Sequence, residues 1–241
     1  MKGNAQAQRP FLEHVEELRR RLLRAIIALF VGVVVSAFFA ERILDWLAQP
    51  LPGAGIQQLM AIEVTENMGV FMQATLLGGL TLAMPVILYQ AWRFIDPGLH
   101  PHEKRYVYLM APLATSLFLA GIAFTYYGML PTTLRFLLGF VSIPTRLRPA
   151  NYFSFVINLM LWVGLCFELP LVVFFLAKVR LLTHKTLLRG WRVAVILIAV
   201  LAAVITPTPD PVNMSIVMAP LLFLYGLSIL LAWVAGIGAR Q

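Results

Sequence analysis

Six long runs of apolar residues occupy most of the chain and leave only short segments between them. They lie at residues 22–40, 70–91, 108–129, 153–177, 193–205 and 214–235. A helix needs about 20 apolar residues to cross a hydrocarbon core of about 30 Å, and a chain inside that core must satisfy its own backbone hydrogen bonds. The runs therefore predict an all-α polytopic membrane protein with six transmembrane helices.

The composition leaves no length for a sizeable soluble domain, since 60% of the 241 residues are hydrophobic and 12% are charged. We therefore expect residues 1–241 to form a single membrane domain, in which residues 1–21 are a cytoplasmic leader. The fifth run is the shortest, and its 13 residues reach only about 20 Å at about 1.5 Å per residue. Either the bilayer thins around it, or the fifth and sixth runs form a re-entrant hairpin.

The distribution of positive charge predicts the orientation. All but four of the 19 Lys and Arg residues lie before or at the start of the first run, between the second and third, between the fourth and fifth, or after the sixth. The positive-inside rule then predicts a multi-pass protein of the cell inner membrane with both termini in the cytoplasm. Topology thus explains the formal charge of +8, which does not indicate a nucleic-acid partner.

Two further patterns concern the shape of the helices. A proline within a transmembrane helix removes a backbone donor and bends the helix, and bent helices can enclose a concave face. Four runs contain one, namely Pro85, Pro112, Pro170 and Pro220. Residues 41–51 and 131–141 mix apolar and polar positions in the way expected of short helices lying in the membrane interface.

Glu168 is an ionisable residue inside the fourth run. A charge in a transmembrane helix costs several kcal/mol unless it is neutral, paired or wetted, so such residues usually face the interior or a cavity. The alternative is a side chain near the cytoplasmic end that extends toward Lys178 or water. A functional polar face is the interpretation that we favour.

The leader is amphipathic, with apolar residues at three- and four-residue spacing from Phe11 to Leu22 and charged residues on the other face. Its glutamates are candidates for binding a cationic ligand. They also stand four residues before arginines, as Glu16 does before Arg20 and Glu17 before Arg21, and such pairs stabilise a helix from within. Both interpretations stay open.

The loop between the second and third runs contains Glu103, which either caps the third helix or binds a ligand. His100 and His102 resemble a metal-ligand pair, but no third ligand is evident, so we predict no metal. Asp210 follows a proline-rich turn and can cap the sixth helix. Nothing resembles a nucleotide loop, a catalytic triad or a paired-carboxylate site, so we predict neither an enzyme nor a cofactor.

In this order, several segments resemble the TatC family over nearly the whole chain. The leader residues 14–22 (HVEELRRRL) are similar to the family's HLxELRxRL, and residues 102–105 (HEKR) to its HE[RK]R. Residues 85–90 (PVILYQ) with Trp92 and Phe94 resemble the end of its second helix, and residues 167–170 (FELP) its fourth helix. The turn 206–210 reads TPTPD, longer than the TPD or TPPD typical of the family.

The resemblance implies the core subunit of the twin-arginine translocase, which exports folded proteins using the proton-motive force. It implies that Glu17 and Glu103 receive the two arginines of a signal peptide, with Arg19 and Phe94 in the same recognition surface. It also implies that Glu168 faces a concavity where single-span TatA- and TatB-like partners associate, and that Asp210 is the aspartate of the last extracytoplasmic loop. The expected surroundings are membrane lipid and further copies of the chain in a homo-oligomer.

Two other functions stay open at this point. Intramembrane carboxylates commonly relay protons, so the chain can also be interpreted as a proton-coupled secondary transporter with Glu168 as its relay. A passive scaffold or lipid-binding protein is the third class, and it predicts that Glu17, Glu103 and Glu168 all tolerate substitution.

Overall fold

The structure, a computed structural model, describes residues 4–53, 59–63, 65–95, 104–139, 147–179, 181–206 and 210–237. These residues form helices and connecting turns, with no strand among them. The helices are α1 (Asn4–Ala37), α2 (Ala40–Ala48), α3 (Pro50–Gly53), α4 (Glu66–Ile95), α5 (Lys104–Phe124), α6 (Leu130–Gly139), α7 (Pro149–Cys166), α8 (Leu169–Lys178), α9 (His184–Arg189), α10 (Trp191–Ile205) and α11 (Pro211–Ile237).

Every predicted apolar run is helical, which confirms the all-α membrane fold. Four helical rods among the described residues are long and apolar enough to cross a membrane, namely Glu66–Phe94, Met110–Leu137, Pro149–Lys178 and Pro211–Gly236. A fifth candidate is the pair Val15–Ala37 and Ala40–Gly53, which meet at a bend of 75°. We number the rods in chain order, so that this pair is the first rod, Glu66–Phe94 the second, Met110–Leu137 the third and Pro149–Lys178 the fourth. The remaining run is the short apolar helix α10 of 15 residues, as its short apolar run predicted.

The third rod differs from the prediction of a separate interfacial helix at residues 131–141. A π-helical turn, Thr125–Met129, joins α5 directly to α6, so that Met110–Leu137 is one continuous rod. Pro131 stands two residues after the π-helical turn and has no N–H to donate within the continuing helix. The other predicted short helix, at residues 41–51, is present as α2 and the start of α3, and its place in the membrane interface stays a prediction.

Glycines set how closely the rods approach each other. A Cβ atom placed on Gly32 of α1 would lie 2.5 Å from the carbonyl oxygen of Gly79 in α4. In the same way, a Cβ atom on Gly121 of α5 would lie 2.9 Å from the Cα atom of Gly164 in α7. Lipid supplies no hydrophobic drive between helices, so close backbone packing at small residues is what holds them together.

We call the end of the bundle that contains α2 and α3 the cap end, and charge distribution assigns it to the extracytoplasmic side. Here the ring of Trp46 stacks on that of Tyr126 with centroids 3.9 Å apart. Tyr126 also donates its hydroxyl to the carbonyl of Trp46 at 2.5 Å, and Tyr152 donates to that of Leu47 at 2.7 Å. These contacts hold α2 across the ends of the third and fourth rods.

Candidate functional site

Glu17 lies on α1 within a groove of about 470 Å³ that is otherwise lined by Arg20, Arg21 and Arg24. Arg21 donates to its carboxylate through Nε at 3.0 Å and through a terminal guanidinium nitrogen. The side chain of Glu17 is 27% exposed and that of Arg21 is 14% exposed. The predicted intrahelical pair with Arg21 is therefore present, and the carboxylate still reaches the groove.

Phe94 and Glu17 lie at the same end of the bundle. Helices α1 and α4 are antiparallel and meet where Gly32 contacts Gly79. Glu17 and Phe94 each stand fifteen residues from that contact in the direction away from the cap, which is about 22 Å along each helix. Close by on α4, Arg93 donates to the hydroxyl of Tyr89 at 2.7 Å.

Of the other residues predicted for this surface, Arg19 is exposed on α1. Glu103 lies outside the described residues, together with His100 and His102. Its placement relative to Glu17 therefore stays a prediction. Among the described residues, no group of three or more His, Cys, Asp or Glu side chains could hold a metal ion.

Glu168 lies in the break of the fourth rod, between α7 and α8, and is only 7% exposed. Neither carboxylate oxygen has a hydrogen-bond partner among the described residues. The side chain lines a small cavity of about 140 Å³ between α4 and α8, and its neighbours there include Trp92 and Phe175. Glu168 thus points into the protein, and the alternative in which it extends toward Lys178 is not the arrangement found.

Asp210 caps α11. Its Oδ1 atom accepts the backbone N–H groups of Val212 and Asn213 at 3.1 and 2.8 Å, and its Oδ2 atom accepts the side-chain amide of Asn213 at 2.7 Å. A carboxylate at this position satisfies otherwise unpaired donors and interacts well with the helix dipole. The capping role suggested by the sequence is therefore present.

The sequence did not single out Glu66, although the structure gives it four hydrogen bonds. Its Oε2 atom accepts the backbone N–H groups of Ile62 and Glu63, at 3.0 and 3.4 Å. Its Oε1 atom accepts from Arg148 Nε at 3.1 Å and from the backbone of Ala150 at 3.3 Å. Only 2% of its side chain is exposed.

Arg148 is the other half of this cap-end network, and it also donates to Glu63 at 2.9 Å. These two carboxylates raise the pKa of the Arg148 guanidinium above its ordinary value, so its charge is secure. The sequence indicates this network only through position, because Glu66 precedes the second apolar run and Arg148 precedes the fourth. Nothing in the sequence joins residues that are 82 positions apart.

The family model described as "Sec-independent protein translocase protein (TatC)" matches residues 13–220. The chain belongs to the TatC family. TatC of Carboxydothermus hydrogenoformans is 35% identical over 222 residues, covering 91% of each chain. TatC of Deinococcus radiodurans is 37% identical over 233 residues, covering 94% of this chain and 86% of the relative.

A crystal structure described as the twin arginine translocase receptor TatC superposes with a TM-score of 0.84 at 34% identity, covering 92% of this chain and 99% of that one. The predicted family is thus confirmed. The protein is a subunit of a Sec-independent protein translocase, a non-enzymatic multi-pass protein of the inner membrane. This membership is evidence against the alternative of a secondary transporter for small solutes.

Proposed function

We propose that the chain binds twin-arginine signal peptides at its cytoplasmic face and assembles with TatA- and TatB-like single-span partners. In this proposal Glu17 and Glu103 each receive one arginine of the signal peptide, and Arg19 and Phe94 complete the surface. The complex exports folded proteins and draws on the proton-motive force.

The observation that carries the proposal is the environment of Glu17. Among the described residues, it is the one carboxylate that lines this groove, and the other lining residues are arginines. Such a basic surface would repel a cationic peptide, so a carboxylate that accepts a guanidinium gives the peptide a specific place to bind. Arg21 already occupies it with the type of contact that a signal-peptide arginine would make.

This arrangement explains a preference for arginine over lysine. A guanidinium presents a planar fork that pairs with a carboxylate through two hydrogen bonds, whereas an ammonium is a point charge. A ligand must displace Arg21 from Glu17, and a lysine replaces two guanidinium hydrogen bonds poorly. Two carboxylates, Glu17 and Glu103, would then require two arginines.

Glu168 is our candidate for the partner site within the membrane. A buried carboxylate without a hydrogen-bond partner is costly, and a polar group from a partner's transmembrane helix would offset that cost. The cavity beside it is about 140 Å³, which accommodates a side chain but not a helix. Contact by one inserted side chain therefore fits the geometry best.

The receptor proposal is tested by measuring the binding of a twin-arginine signal peptide to the purified protein in detergent. We expect Glu17→Gln and Glu103→Gln each to weaken binding by at least about tenfold, the loss of one charge-assisted contact of about 1.5 to 3 kcal/mol. Glu16→Gln is the matched control, because Glu16 is exposed on the same helix one position away.

The same assay with a twin-lysine peptide tests the role of the guanidinium. We expect the wild-type protein to distinguish the two peptides and Glu17→Gln to lose much of that distinction. If Glu17→Gln and Glu16→Gln bind the twin-arginine peptide equally well, Glu17 is not part of the receptor site.

A further inference from the structure

A cavity of about 410 Å³ opens at the bend between α1 and α2. Its mouth is formed by Val35, Phe39 and Leu82, which are 42%, 47% and 54% exposed. Its floor reaches the interior at Ile122 of α5 and Met160 of α7, which are 8% and 1% exposed. The cavity exists because the chain turns by 75° between the two helices, so α2 leaves uncovered a part of α4 that a straight α1 would cover.

One polar group in the lining has no partner. Ser36 is 1% exposed, and its Oγ atom has no hydrogen-bond partner in the part of the chain that the structure describes. The other hydroxyl in the lining, that of Thr81, already donates to the carbonyl of Leu77 at 2.8 Å. Neither hydroxyl exposes surface to the cavity, so the accessible lining is apolar throughout.

Hydrocarbon fits this space better than water does. A buried water molecule needs about two to four polar partners, and the accessible lining of the cavity offers none. An apolar cavity of about 150 Å³ is enough for a benzene molecule, so this one has room for a longer hydrocarbon. Its mouth opens among exposed apolar side chains of transmembrane helices, where the adjacent hydrocarbon is the acyl chain of a lipid.

We propose that this cavity is a lipid site that holds one acyl chain of a phospholipid. The depth is suitable because Ile43 and Trp46 of α2, the helix predicted to lie in the interface, border the cavity. Acyl chains join their glycerol esters at this level of the bilayer. The site is separate from Glu17 and Glu168, neither of which lines it.

Trp46 provides a reporter for the site. In a variant that keeps Trp46 and replaces the other four tryptophans with phenylalanine, we titrate the detergent-solubilised protein with phosphatidylglycerol that carries brominated acyl chains, which quench tryptophan fluorescence. We expect saturable quenching of Trp46. A second variant that keeps only Trp233, which is 52% exposed on α11, should show quenching that rises without saturation.

Two substitutions then test the assignment. Thr81→Phe fills the cavity and should abolish the saturable phase, whereas Leu76→Phe, on the exposed face of α4 outside the cavity, should leave it unchanged. Val35→Phe narrows the mouth of the cavity and should shift half-saturation to higher lipid concentration. This second variant keeps the test valid if Thr81→Phe does not fold.

The lipid site is overturned if quenching of Trp46 does not saturate, or if it saturates equally in Thr81→Phe. It is also overturned if an apolar single-span peptide protects Trp46 from the brominated lipid and Thr81→Phe removes that protection. In that case the occupant is a protein helix.

Discussion

Two buried glutamates, Glu66 at the cap end and Glu168 within the fourth rod, have nearly the same exposure and opposite surroundings. They are 6% and 7% exposed. Glu66 accepts four hydrogen bonds, and the two from Arg148 and Ala150 join the start of α4 to the start of α7. Glu168 accepts none from the described residues and faces a small apolar cavity.

The difference separates structural from functional use of a buried charge. A buried carboxylate whose partners are all in place holds the structure together, and removing one partner leaves the others unsatisfied. A buried carboxylate without partners destabilises the fold. It also keeps its oxygens available to accept hydrogen bonds from another protein or a ligand. We therefore expect substitutions at Glu66 to affect stability and substitutions at Glu168 to affect function.

Glu66→Gln should give the largest loss of stability. An amide has a single acceptor oxygen and places an NH₂ group against donors of the backbone or of Arg148, so at least one pair of donors loses its acceptor. The measurement is thermal unfolding in detergent. Unfolding is detected by the reaction of a maleimide with Cys166, the single cysteine, which is buried in the folded protein.

The matched control for this experiment is Glu63→Gln. The side chain of Glu63 is 65% exposed and contacts the same arginine, and exposed ion pairs contribute little to stability. An equal fall in the unfolding midpoint for both variants would contradict a structural role that is specific to Glu66.

Arg148→Lys should lower the midpoint less than Glu66→Gln. An ammonium keeps the charge but cannot place two forked nitrogens on Glu66 and Glu63 at once. The backbone donors to Glu66 stay in place. If Arg148→Lys unfolds at the wild-type temperature in the same labelling assay, the forked contact of Arg148 contributes nothing to thermal stability.

Asp210→Ala should cost about 1 kcal/mol, the usual cost of removing a helix N-cap. Asp210→Asn is the control that retains a capping oxygen and should stay close to wild type. The same unfolding assay separates them. An equal loss in both variants would show that the negative charge, and not the cap, is what matters at this position.

Glu168→Gln should have the smallest effect on stability, with an unchanged or raised midpoint. The carboxylate that it replaces has no hydrogen bond to lose among the described residues. A neutral amide of similar shape is also less costly to bury than a charge. A marked fall in the midpoint would reveal a partner for Glu168 that this account does not include.

The sequence predicted the apolar helices because their signal is local. The run 70–91 became α4, and the run 214–235 became α11, each with a few more residues at its ends. The sequence also identified Glu168 and Asp210, because a charge inside an apolar run and an aspartate before a helix can both be recognised from a few neighbouring residues.

The partners of Glu66 could not be predicted from the sequence, because the network joins residues 82 positions apart and its geometry depends on how the rods pack. The cavity at Ser36 was missed for the same reason. It lies at the bend between α1 and α2, where Trp46 stacks on Tyr126, and these two residues are 80 positions apart. Neither the partners of Glu66 nor this cavity can be inferred from the local sequence.

The most direct test of this division is the export of a folded twin-arginine reporter by cells that contain Glu168→Gln or wild-type protein at equal membrane levels. The account predicts that Glu168→Gln exports less reporter although its unfolding midpoint is no lower than that of the wild type. Wild-type export by Glu168→Gln, or lost export that follows a lowered midpoint, would contradict the central claim that Glu168 is kept for function and not for stability.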